Sequence, residues 1–128
     1  MKTAALIARI LLGIMFTVFG LNGFLNFIPQ PPPAGMVATF VGVLFSSHYH
    51  VFVFGLQLIC GILLLANQFV PLALTILAPI IANILVFHIT MQPAGLPPGI
   101  LATILWGILA WRLRSHFAAL LTRHSVES

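Results

Sequence analysis

Acid is the scarcest property of this chain: Glu127 is its only carboxylate in 128 residues, against five Lys and Arg. From residue 10 to residue 111 there is no Asp, Glu, Lys or Arg at all. A water-soluble domain of that length needs ionised side chains over its surface. A soluble globular fold is therefore excluded, and lipid is the solvent for most of the surface. Cysteine is nearly absent too. Cys60 stands alone inside an apolar run, which excludes an intramolecular disulfide and a C-x-x-C thiol relay. The net charge of +4 would point to a polyanion in a soluble protein. Here the bases flank apolar segments, so topology and anionic lipid headgroups account for them and no nucleic-acid partner is expected.

What fills the chain instead is 61% hydrophobic residues, in runs separated by proline. The stretch Ile10 to Ile28 covers ~28 Å as a helix, about one hydrocarbon thickness. Lys2 and the apolar run after it resemble a signal peptide. The run outlasts an h-region, however, and no A-x-A-like cleavage site closes it, so it reads as a retained first span. Pro29 and Pro31 to Pro33 end that span in a stiff turn. Asn67, Gln68 and Pro71 mark a tight hairpin. Pro93, Gly95, Pro97 and Pro98 punctuate a further loop. The expected spans are 5–28, 51–69, 72–91 and 96–114, with a short tail over 115–128.

Met36 to Phe45 covers roughly 15 Å, too little to cross a bilayer as a helix. It reads as an interfacial or re-entrant helix between spans 1 and 2. Lys2 and Arg9 precede the first span, Arg112, Arg114 and Arg123 follow the last, and the connections carry no base. The positive-inside rule then puts both ends in the cytoplasm, which requires an even number of crossings. The expected fold is all-α: a single-domain, polytopic membrane protein of the cell membrane, built as a four-transmembrane-helix bundle. Small residues suit close helix packing. Arg9, Gly13, Phe16, Gly20 and Gly23 share a face of the first span, as do Gln57, Cys60, Gly61 and Leu64 on the second. Gly99, Thr103 and Gly107 form a small-xxx-small stripe on the fourth.

Each polar side chain inside an apolar span needs a reason. Asn22 and Asn26 fall near the outer end of the first span, and Gln57 in the outer half of the second. Asn83 lies just past the middle of the third, with His88 near its outer end. His48 and His50 belong to the outer connection. Four elements thus place hydrogen-bonding groups at one depth. Whether the side chains converge is a matter of helix rotation. His88 reads either as one interhelical hydrogen bond or as a ligand contact, since a neutral imidazole can donate to, accept from or exchange a proton with a carbonyl or hydroxyl compound. A metal site on His48, His50 and His88 is a weaker alternative, with no carboxylate or thiolate to assist. Arg9 reads as an intramembrane charge that either snorkels to the interface or faces the bundle. In the second case carbonyls, amides, another chain or lipid phosphate must partner it. Pro79 frees the Thr75 carbonyl and predicts a kink in the third helix. His116 and His124 read as solvated residues of the tail.

With these segments assigned, the chain resembles the DoxX-like family of small four-helix membrane proteins. The match is carried by Ala8-Arg9-Ile10-Leu11-Leu12-Gly13, by Phe19-Gly20-Leu21-Asn22-Gly23-Phe24 and by Gly61-Ile62-Leu63-Leu64-Leu65. It continues through Phe69-Val70-Pro71-Leu72-Ala73-Leu74, Ala78-Pro79-Ile80, Asn83-Ile84-Leu85-Val86-Phe87-His88 and Pro93-Ala94-Gly95. The resemblance implies association with quinone-linked oxidation or with a membrane redox complex. Related members tend to carry an acid where this chain has Gln57, an amide that can neither ion-pair with Arg9 nor shuttle a proton. The lone cysteine also argues against thiol-based quinone chemistry.

The expectation is thus a quinone- or lipid-interacting subunit, with His88, Asn83, Gln57, Asn22 and Asn26 as ligand-binding residues. Electrons would come from a partner redox protein, and quinone or lipid would be the one bound group. Membrane lipid is the expected surroundings, and self-association into a homo-oligomer is left open. The alternative is a non-catalytic membrane protein that binds a hydrophobic small molecule or assists assembly of a partner protein. A transporter ranks last, because no inverted repeat is visible.

Overall fold

The structure, a computed structural model, describes residues 2–30 and 32–123. Pro31, His124 and Glu127 lie outside the described residues, and with them the expectations placed on them. Among the described residues there are helices and turns but no strand. Helix α1 is Lys2–Leu25, α2 is Gly35–Ser46, α3 is Tyr49–Ala66 and α4 is Val70–Thr90. A 3-10 turn at Pro93–Gly95 leads into α5, Leu96–Arg112. Four helical segments, starting at Lys2, Tyr49, Val70 and Pro93, are long and apolar enough to cross a membrane. The short α2 lies between the first two, so the expected architecture is the observed one.

The first two spans end earlier than expected, and local chemistry explains both ends. Helix α1 stops at Leu25 rather than at residue 28. Asn26 turns left-handed with φ 52°, and the Asn22 side-chain oxygen accepts the Ile28 N–H at 2.8 Å. The apolar run continues, but the cap has already ended the helix. Helix α3 stops at Ala66 rather than 69. Asn67 is left-handed with φ 56°, the Gln68 N–H donates to the Leu63 carbonyl at 2.9 Å, and the Asn67 N–H donates to that of Leu64 at 3.2 Å. That pair of bonds is a Schellman closure. Pro71 does not delay α4. It sits in the first turn, where its missing N–H is not needed.

The bundle is four-cornered: α1 packs on α3 and α5, and α4 packs on the same two. Neighbours run antiparallel. Gly13 faces Leu65, Gly20 faces Leu58 and Gly23 faces Phe54, so the start of α1 is level with the end of α3. Gly99 of α5 faces Leu85 of α4, and the Trp106 indole N–H donates to the Leu74 carbonyl at 2.9 Å. Both ends of the described chain therefore lie at one end of the bundle, here called the terminal end.

The contact between α1 and α3 is backbone against backbone. A Cβ on Gly20 would lie 2.7 Å from the Leu58 nitrogen, and one on Gly61 2.5 Å from the Thr17 nitrogen. Without lipid-excluding pressure between helices, such close van der Waals approach is what holds them together. The stripe expected on the fourth span is half corrected. Gly99 is buried against Leu85 and Ile84, but Thr103 and Gly107 are exposed, and a Cβ on Gly107 would meet nothing within 4 Å. The largest sealed-off side chains, Leu12, Cys60, Leu64, Leu74 and Leu77, all lie in the terminal half. No residue of α4 beyond Ile81 is buried, and none of α2 is.

Candidate ligand cavity

The opposite half of the bundle is hollow. A cavity of about 960 Å³ opens between α1, α3, α4 and α5, with α2 as an additional wall. Most of its lining is apolar or aromatic: Met15, Phe16, Phe19, Phe54, Ile84 and Phe87 are examples. From α2 come Val37, Phe40, Val41, Leu44 and Phe45. Phe40 meets Phe87 of α4 with ring centroids 5.3 Å apart, which bridges α2 to the far side of the hollow.

All five residues expected to contact a ligand reach this one space: Asn22, Asn26, Gln57, Asn83 and His88 line it. Asn22, Gln57 and His88 are buried or half-buried there, whereas Asn26, past the end of α1, and Asn83 of α4 are exposed. Their roles are unequal. Asn22 and Asn26 also terminate α1, so part of their hydrogen-bonding capacity is used by the backbone. Gln57 is 5% exposed and is the only buried polar residue among those described. Neither its amide nor that of Asn83 has a hydrogen-bond partner among the described residues. A buried primary amide carries two N–H donors and a carbonyl acceptor. Those of Gln57 open onto the cavity, whereas the buried side-chain polar atoms without a partner among the described residues are Thr17 Oγ1 and His50 Nδ1. An arrangement with such a group on a cavity wall is matched when something in the cavity supplies the partner.

His88 makes a local bond rather than the interhelical one that sequence reading allowed. Its Nδ1 lies 3.2 Å from the Gln92 carbonyl. A carbonyl only accepts, so Nδ1 is the donor of this bond, and in the neutral ring Nε2 is then the acceptor. The ring is seated against Gly95, where a Cβ would come within 2.6 Å of Nδ1 and Cε1. Gly95 therefore does more than punctuate a loop. Sequence reading missed this, as it missed Gln30, Ser47, Tyr49 and Gln92 on the lining. The available signal was Gln92, one helical turn after His88.

The other histidines do not join His88. The His50 ring stacks on Phe45 at 4.3 Å with 17° between planes, its Nδ1 is buried without a partner, and His48 is exposed. Among the described residues no three His, Cys, Asp or Glu are placed to hold a metal, so the triad of His48, His50 and His88 is not assembled. Arg9 is remote from the cavity. It faces the bundle at the terminal end, donating to the carbonyls of Leu64 and Leu65. Cys60 is in the core and not on the lining.

The cavity thus offers amide and imidazole donors and acceptors in an apolar shell, with no Asp, Glu, Lys or Arg on its wall. Such a site selects an uncharged, largely apolar molecule with a few hydrogen-bonding oxygens. Compared with protein-family models, with curated proteins and with solved structures, the chain matches none.

Proposed function

We propose that this multi-pass membrane protein binds a quinone in the cavity, as a subunit associated with a membrane redox complex. The observation that carries the reading is Gln57, a buried residue whose amide has no partner among the described residues and opens onto an apolar hollow. A volume of about 960 Å³ is at the upper end of the range for small-molecule sites, roughly 300–1,000 Å³. A flat ring fits between Phe19, Phe54, Ile84 and Phe87. Its carbonyl oxygens would take N–H donors from Gln57 and Asn83, and a reduced hydroxyl would donate to Nε2 of His88. Electrons would be exchanged with a partner redox protein. The resemblance to the DoxX-like family supports the quinone, and the substitution of an acid by Gln57 makes this site neutral. The basic residues at the terminal end favour a cytoplasmic position for that end by the positive-inside rule.

The charge-free wall equally favours a second reading, a binder of a hydrophobic molecule or lipid without electron transfer. One titration separates the two. Decylubiquinone added to the detergent-purified protein is expected to bind saturably, and Gln57→Leu to weaken it by about fivefold, the equivalent of one neutral hydrogen bond. Absence of saturable binding overturns the quinone reading. Equal affinity for decylbenzene, which lacks the carbonyls, transfers the cavity to the second reading.

A further inference from the structure

The other concavity lies at the terminal end, on the outward side of α5. The chain leaves the helix at Leu113, with φ −102° and ψ 18°. A short helix α6, Arg114–Phe117, and a 3-10 turn, Ala118–Leu121, follow. They carry Phe117 and Leu121 onto one groove of about 390 Å³ with Trp106, Gly107, Ala110 and Trp111. At Gly107 the groove is open, since a Cβ there would meet nothing within 4 Å. Its walls are apolar. In a bilayer such a furrow gains contact energy when an acyl chain fills it.

Arg114 also lines the groove. Its guanidinium lies 4.4 Å over the Trp111 ring and donates through Nη1 to the Trp111 carbonyl at 2.8 Å. Two contacts orient the group, and its remaining N–H donors are uncommitted. Arg112, His116 and Arg123 are exposed nearby in sequence. No Asp or Glu occurs among the described residues, so a counter-charge for this cluster must come from outside them. We infer that the groove binds an anionic phospholipid, its acyl chain against Gly107 and Ala110 and its phosphodiester on Arg114. A second copy of this chain fits less well, because its own arginines at that level would meet like charge. The site is independent of the quinone reading and lies at the opposite end of the bundle.

Native mass spectrometry tests this on the full chain in detergent, equilibrated with equal amounts of phosphatidylglycerol and phosphatidylcholine. Preferential retention of phosphatidylglycerol is expected. Arg114→Gln should lower it by about fivefold, the effect of one cation near an anionic headgroup. Arg114→Lys should retain more of it than Arg114→Gln. Gly107→Leu, which fills the furrow, should lower it with all arginines intact. Thermal unfolding of each variant reports that it is folded. Equal retention of both lipids by the wild-type protein overturns the inference. So does a loss in Arg112→Gln as large as in Arg114→Gln with Gly107→Leu unaffected, because charge alone would then be responsible. A stable lipid-free dimer that Gly107→Leu dissociates assigns the groove to a second copy instead.

Discussion

Arg9 closes the end of a helix to which it does not belong: its Nη1, from α1, donates to the Leu64 carbonyl in the last turn of α3. The same nitrogen reaches the Leu65 carbonyl at 3.3 Å. The last carbonyls of a helix carry partial negative charge, and the Leu64 carbonyl, which already takes the Asn67 N–H, has a second lone pair to offer. A guanidinium answers that charge, and no Asp or Glu occurs among the described residues to compete for it.

Replacing Arg9 by Leu should therefore destabilise the bundle by about 1–2 kcal/mol, the worth of a partly buried cation at a helix C-terminus. Arg9→Lys should recover part of the loss. Reversible unfolding in mixed micelles measures both. Equal stability of Arg9→Leu and wild type would mean that Arg9 merely rests in the interface.

The glycines divide by what they face. Gly61→Val should cost about 1–3 kcal/mol or more, as an overpacked contact does, because the added atoms press on the Thr17 backbone. Gly107→Ala should be neutral, or stabilising by up to about 1 kcal/mol through helix propensity. The same unfolding assay compares them.

Gly95→Ala should impair ligand binding without touching the ligand. Its Cβ displaces the His88 ring and breaks the bond to the Gln92 carbonyl. Decylubiquinone affinity should fall to about that of His88→Ala, and the double variant should add little further loss, as expected for coupled neighbours. Additive losses would separate the two residues.

Trp106→Phe keeps the packing and removes the indole donor to Leu74. The expected loss is about 0.6 kcal/mol, the average for an interhelical hydrogen bond in a membrane protein. The affected carbonyl directly precedes that of Thr75, which Pro79 leaves without a helical donor. Trp106→Phe should therefore speed amide exchange around Leu77 and Ala78.

The architecture was legible because charge and apolar runs report solvent and length, which decide the number of crossings. The members of the cavity were legible by depth, since Asn22, Gln57, Asn83 and His88 are costly in hydrocarbon and had to share a reason. Boundaries were not legible. Ile28 is as apolar as Leu25, and the helix end between them depends on Asn26 turning left-handed while Asn22 folds back on Ile28 N–H. Nor could periodicity assign Gly107 to the lipid side and Gly13 to α3. Both lie on small-residue stripes, and only the neighbouring helix distinguishes them. The order in Arg114–Leu121 escaped notice for a related reason: its apolar residues pack on the outside of α5, a surface that polarity patterns treat as membrane.

Only one half of the bundle's length is hollow, so a hydrophobic guest that partitions in from lipid would enter from a single monolayer of the bilayer. Its occupancy then follows the guest's concentration in that leaflet, and the other leaflet has no direct bearing on it. Reconstitution in liposomes loaded asymmetrically would expose this sidedness as a dependence on which face receives the guest first.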